Sequence, residues 1–295
     1  MIDPKLLLED EFNAENALIE SIVKHNESIA QSEVLIWIND NGESRSICTR
    51  GNLSTILGKA KSRKTFFITM LIASMFIGIL FNKIRGRRTT EKIVLFDTEQ
   101  GRYRAQRVLL RIIKLAGLFS NFEVLSLRKY NSHERMQIIQ KYFEINKVAF
   151  AVIDGVRDLI ADFNNLEQSN ELVTELMRIS EVYNCHLCLV LHMNKGDNNA
   201  RGHLGTELMN KAETIISVNK EKGSNFSDVS PEYMRDEEFE SFQFTIKDGL
   251  PVVVGFENTI IDGKLVNEYG LEINSDINPN SRIEPNANFE QETPF

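Results

Sequence analysis

The chain has 295 residues, 42% of them hydrophobic and 26% charged, which excludes fibrous and fully disordered classes and suits one large domain or two small ones. With 34 Lys and Arg against 42 Asp and Glu the formal net charge is −8, so nucleic-acid contact would require a local basic patch. Cys48, Cys185 and Cys188 are too few and too unevenly spaced for a disulfide framework, and the start MIDPKLLLEDE lacks the basic-then-apolar order of a signal peptide; both point to a cytoplasmic protein.

Residues 4–31 carry Leu6, Leu7, Leu8, Phe12, Leu18, Ile19, Ile22 and Val23 among acids and amides, which predicts one or two amphipathic helices. This helical arm, residues 1–33, could act as a lid or a subunit-docking segment. From residue 34 short β-rich runs alternate with helical stretches: VLIWI at 34, LSTIL at 53, KIVLF at 92, FEVLSL at 122, VAFAVI at 148, CHLCLVL at 185 and TIISV at 214. That alternation predicts an α/β core, residues 34–257, with a mostly parallel central sheet covered on both faces. No proline interrupts it between Pro4 and Pro231, which argues for one continuous core. Phe66 to Phe81 is strongly apolar but too short for a comfortable membrane span, and no membrane partner is expected. After Pro231 the runs FQFTI and PVVVGF flank Lys247-Asp248-Gly249, which predicts an antiparallel hairpin. The extension 258–295 becomes poor in apolar residues from about 274 and reads as a disordered tail.

The most informative stretch is GKAKSRKT, residues 58–65, between the predicted strand Leu53–Leu57 and the apolar helix that starts at Phe66. A phosphate-binding loop needs this order, because backbone amides at a turn and a helix N-terminus cradle the phosphates. Gly58, Lys59, Ala60, Lys61, Ser62, Arg63, Lys64 and Thr65 form the candidate nucleotide site: Lys64 is placed to reach the β/γ oxygens of ATP, and the Thr65 hydroxyl to ligate Mg²⁺. Arg63 stands where a second glycine is usual. VAFAVIDG ends a hydrophobic strand on Asp154, the second candidate for holding Mg²⁺. Gly155 and Val156 follow, so no Glu adjoins Asp154 to orient an attacking water.

KIVLFDTEQG offers a base. Asp97 and Glu99 should emerge on the same side at the carboxyl end of a strand, with Glu99 as catalytic base; the plainer reading makes the pair a solvated acidic turn with Asp97 as a cap. His192 and Asn194 follow CLVL at the end of the next core strand, where a polar side chain can contact the γ-phosphate. Cys185 and Cys188 share one strand with no second pair elsewhere, so core packing is expected of them rather than zinc. Arg104, Arg107, Arg111 and Lys114 make a basic stripe on one helical face, either solvated or a contact for a subunit or nucleic acid.

Over about residues 50–222 this constellation resembles the RecA/DnaB superfamily of ATPases, and within it the small plasmid RepA-type hexameric helicases and their relatives in mobile elements. The resemblance rests on GKAKSRKT, FDTEQG, VIDG and HMNKGDNNARGHLGTELMNKAETIISVNKEK. It implies a RecA-like P-loop core, Glu99 as the catalytic glutamate, and His192 as a phosphate sensor. It also implies a DNA-binding loop from Asn194 to Arg201 with Lys195 and Arg201 as its cations. Lys220 or Lys222 would reach the neighbouring subunit's nucleotide, a role more often filled by Arg. The expected protein is an ATP- and Mg²⁺-dependent motor, a DNA helicase or translocase assembling as a ring, a hexamer by resemblance, on single-stranded DNA. Two rivals are a RecA-fold ATPase that regulates a protein without DNA, and a nucleotide-binding scaffold in which Arg63 has cost hydrolysis.

Overall fold

The computed structural model describes residues 12–40, 42–193 and 202–255, together with the strands Thr259–Ile261 and Lys264–Val266. A nine-stranded sheet organises the chain. Six of its strands run parallel: β3 (Leu53–Gly58), β6 (Lys92–Asp97), β7 (Phe122–Ser126), β8 (Val148–Asp154), β9 (His186–His192) and β10 (Thr214–Asn219). They lie in the order β10-β3-β9-β8-β6-β7, and the antiparallel strands β11 (Phe226–Met234), β12 (Phe242–Lys247) and β13 (Leu250–Val253) extend the β10 side. This is the expected α/β class. β8 is buried at every position and β9 at all but its last, which is why both read as near-continuous apolar runs.

Helices α2 (Lys64–Ile77), α3 (Arg102–Ala116), α4 (Ser132–Ile145), α5 (Leu166–Val182) and α6 (Gly202–Lys211) connect the parallel strands. Two apolar cores result, one on each face of the sheet. One contains Phe67, Met70, Leu71, Ile93, Leu95 and Phe150; the other contains Val94, Phe96, Phe143, Leu176, Leu187 and Leu189. Residues 93 to 96 alternate between the two, as the two-residue period of a strand requires.

Four results depart from the sequence reading. The run VLIWI forms β1 (Val34–Asp40), but β1 lies outside the parallel sheet. With β2 (Glu43–Thr49), β4 (Ile79–Leu80) and β5 (Ile84–Gly86) it builds a separate antiparallel sheet in the order β2-β1-β5-β4. A strand pattern reports burial on a pleated surface and carries no address for its partner. Secondly, β11 escapes the pattern because it contains Pro231, which sits where the register with β10 shifts: Ile215 opposes Tyr233 and Ile216 opposes Pro231. A residue without an amide hydrogen is tolerated at such an irregularity.

Thirdly, among the described residues of the N-terminal arm, 12–33, only α1 (Ala14–Glu20) is helical, capped by the Asn13 side chain, with no residue of the helix buried. Fourthly, β13 ends at Val253, short of the predicted PVVVGF run. The Asp-Gly hairpin is present: Asp248 and Gly249 both take positive φ, 50° and 77°, as the tight turn between β12 and β13 demands. The tail beyond 274 lies outside the described residues.

Candidate nucleotide site

The carboxyl ends of β3, β6, β8 and β9 meet at one place, and the residues singled out in the sequence converge there. β3 ends on Gly58, which has no room for a side chain: a Cβ would lie 2.3 Å from the Val218 carbonyl oxygen and 2.6 Å from Ser62 Oγ. The loop then reaches α2 through two left-handed residues, Lys61 at φ 67° and Arg63 at φ 76°. Arg63 holds, as the N-cap of α2, the conformation glycine adopts most cheaply, and an L side chain there costs on the order of 1–3 kcal/mol. Its guanidinium donates to the Asn225 carbonyl at 2.8 Å, so the charged end is tied to a neighbouring turn.

Lys64 is buried and its ammonium donates to the carbonyls of Gly58 at 2.8 Å and Lys59 at 3.3 Å. The same Nζ lies 3.2 Å from His192 Nδ1, and His192 Nε2 lies 3.1 Å from Glu99 Oε1. An ammonium can only donate, so Nδ1 accepts and the ring proton sits on Nε2, pointing at the carboxylate. Lys64, His192 and Glu99 therefore form one hydrogen-bonded chain that joins the start of α2, the end of β9 and the turn after β6. Burial lowers the Lys64 pKa, opposed by the negative charges of Asp154 and Glu99. The hydrogen bond from His192 holds the Glu99 carboxyl below its usual range.

Beside this chain Thr65 Oγ1 donates to Asp154 Oδ2 at 3.0 Å. Burial pushes the Asp154 carboxyl up to about 6, against the Thr65 hydrogen bond. Ser62 Oγ is buried without a partner among the described residues, an acceptor and donor left over at the mouth of the loop.

Asp97 and Glu99 do not share an environment. Asp97 is buried, and its Oδ1 accepts from the amides of Glu99 at 3.1 Å and Gln100 at 2.7 Å, while burial raises its pKa to about 7. The plainer reading of Asp97 as a cap describes its contacts, although the cap serves the turn at 98–100; α3 itself starts from Gly101 without a side-chain cap. Glu99 alone faces the site.

The cavity here measures about 850 Å³, and its far wall is α3. Tyr103, Arg104, Arg107 and Arg111 line it opposite Lys61, Arg63, Lys64 and Thr65. The basic stripe is thus mostly a wall of the site, except that Lys114 does not line it. Arg111 stacks its guanidinium 3.8 Å from the Phe66 ring centroid and donates to the Gly249 carbonyl, and burial with the nearby Arg107 lowers its pKa to about 10. The 3-4-3 spacing was visible in the sequence; its destination required the packing of α3.

Lys220 and Lys222 follow β10, half-buried and exposed respectively, and neither lines the cavity of its own chain. Lys195 and Arg201 lie outside the described residues. Cys185 and Cys188 are buried free thiols whose pKa values burial raises to about 12, as core packing requires.

A family profile described as "AAA domain" matches residues 26–198, which span β1 to the end of β9 and so include the loop, Glu99, Asp154 and His192. No curated protein matches the chain. Among solved structures, the crystal structure of the RadB recombinase is similar at 14% identity and a TM-score of 0.49, covering 70% of this chain and 92% of that one.

Proposed function

The chain belongs to the AAA domain family, and we propose that it is an ATP-hydrolysing motor of RecA-like fold that acts on DNA as a helicase or translocase of a plasmid or mobile element. The observation that carries the hydrolytic part is the chain Lys64–His192–Glu99 lying beside the Thr65–Asp154 pair in one cavity. In this reading the amides of residues 58–65 and Lys64 bind the phosphates of ATP. A phosphate oxygen replaces the carbonyls that Lys64 now contacts. His192 then loses its partner on Nδ1 and reports the γ-phosphate to Glu99, which polarises the attacking water.

The donors Thr65 Oγ1 and Asp154 are hard oxygens, and among the described residues no group of three His, Cys, Asp or Glu could hold a metal unaided. That fits Mg²⁺, which takes one or two protein oxygens and completes its shell with water and substrate phosphate. Bound there, Mg²⁺ would neutralise charge developing on the phosphoryl oxygens. The Arg63 guanidinium is engaged by the Asn225 carbonyl, which favours active hydrolysis over the scaffold reading.

Self-association into a ring is supported by the arm, where Leu18, Ile19, Ile22 and Val23 are all exposed, an apolar run that a monomer rarely leaves in water. A ring would also let Lys220 or Lys222 reach a neighbour's γ-phosphate. Lys195 and Arg201 supply the charge for contact with single-stranded DNA. The test is ATP turnover by the purified chain with and without single-stranded DNA, paired with mass measurement in ATP. Stimulation by DNA together with a multimeric mass supports the motor; DNA-independent turnover by a monomer favours a protein-directed regulator.

A further inference from the structure

The small antiparallel sheet has two unlike faces. Its inner face carries Ile36, Ile38, Ile47 and Ile84, all buried in the core against α2. Gly86 of β5 approaches α2 so closely that a Cβ would lie 2.4 Å from backbone atoms of Ser74 and Met75. Its outer face, on the far side of α2 from the parallel sheet, has no part in the nucleotide cavity. There the register places Trp37 between Ser46 on one side and Arg85 on the other, with Asn39 opposite Ser44.

Trp37 is the only tryptophan of the chain, half-buried on a strand whose neighbours on either side are buried. The guanidinium carbons of Arg85 and Arg87 stand 5.7 and 5.5 Å from its ring centroid. These distances lie near the outer limit of a cation–π contact, about 6 Å. Arg111 on Phe66 shows what a closed stack looks like in this molecule, at 3.8 Å. The Trp37 ring is flanked by its two cations without being fully covered by them. Both arginines are exposed. Arg87 donates from Nε to the Val34 carbonyl at 2.9 Å and pairs with Glu33 at 3.4 Å, and Arg85 makes no ion pair among the described residues.

We propose that this outer face binds single-stranded nucleic acid, with an unstacked base on Trp37 and the backbone phosphates on Arg85 and Arg87. A flat aromatic group flanked by exposed cations matches a base followed by its phosphate, and stacking is tolerant of sequence. An acidic peptide would satisfy the two charges but leave the ring without a partner. The hydroxyls of Ser44 and Ser46 and the Asn39 amide complete a polar surface around it. The proposal deepens the DNA-acting reading and rests on it, but it names a surface remote from the ATP cavity, so the two can fail separately.

The chain's single tryptophan makes the test direct. Titration of the full chain with an oligothymidylate of about 15 nucleotides, a length that covers one binding module, should quench Trp37 fluorescence, with a midpoint that weakens as salt rises. In the double variant Arg85→Ala/Arg87→Ala, fluorescence anisotropy of a labelled oligothymidylate should show binding weakened about tenfold or more, with ATP affinity unchanged. Absence of quenching at saturating oligothymidylate, or unchanged affinity in the double variant, overturns the proposal. If turnover is nevertheless stimulated by DNA, the motor reading survives and its DNA surface lies elsewhere. Equal quenching by polyglutamate also overturns it, in favour of an acidic protein partner.

Discussion

Helices α2 and α3 leave the same side of the sheet, the carboxyl ends of its parallel strands, one after β3 and the other after β6, and differ in what covers them. α2 has 11 of its 14 residues buried, because the parallel sheet lies on one side and the small antiparallel sheet on the other. Its apolar character runs all round, as expected of a helix enclosed by protein. α3 buries Ala105, Val108, Ile112, Leu115 and Ala116 and turns Arg104, Arg107 and Arg111 toward the candidate nucleotide cavity. The first helix fixes the candidate phosphate loop through packing, and the second lines the same cavity with positive charge. No helix among the described residues is long and apolar enough to cross a membrane; the enclosure of α2 accounts for the stretch that suggested one.

If that division is right, truncations in α2 should cost stability. Phe67→Ala should lower the unfolding free energy by about 3–5 kcal/mol, the range for removing a buried aromatic, measured by urea denaturation. A loss under 1 kcal/mol would mean that α2 is not enclosed as described. Glu99→Gln, next in size, should slow turnover about a hundredfold while nucleotide still binds, because it removes a general base and little else. Equal damage to binding, read by calorimetry, would assign Glu99 to structure. Gly86→Ala tests the second cover of α2 and should cost about 1–3 kcal/mol, since the clash is with backbone that cannot turn aside.

On the α3 side, Arg107→Ala should weaken nucleotide binding about tenfold, the loss expected of one charge-assisted contact, with stability changed by less than about 0.5 kcal/mol. A stability loss without an affinity loss would erase the contrast between the helices. The smallest effect is expected of Lys220→Ala combined with Lys222→Ala. Turnover should fall several-fold at high protein concentration, with ATP affinity unchanged; turnover independent of concentration and unaffected by the pair would remove the ring argument.

The residues of the candidate phosphate loop were legible because their signal is local: a strand, a turn, a lysine and a hydroxyl in fixed order. Asp154 and His192 were legible as the last polar residues of buried strands. The contrast between Asp97 and Glu99 was not, because alternation puts both on one side while the turn at 98–100 brings the amides of Glu99 and Gln100 back onto the Asp97 carboxylate. β2 was missed because ESRSICT is mostly polar, with only Ile47 and Cys48 buried. The partner of β1 was misread because its apolar run serves a second sheet whose other strands are either mostly polar, as β2 is, or short, as β4 and β5 are. The cover over α2, the arginine wall and the surface around Trp37 all depend on that second sheet or on the packing of α3, which are contacts between segments distant in sequence.

The account stands most directly on Lys64, the residue that touches the loop carbonyls and His192 at once. The decisive measurement is phosphate release from Mg-ATP by the wild-type chain, Lys64→Ala and Lys61→Ala, side by side with nucleotide binding. The account predicts turnover in the wild type and in Lys61→Ala, and loss of turnover or of binding in Lys64→Ala. Wild-type turnover in Lys64→Ala with loss in Lys61→Ala would contradict it and move the phosphate site off the chain that links Lys64, His192 and Glu99.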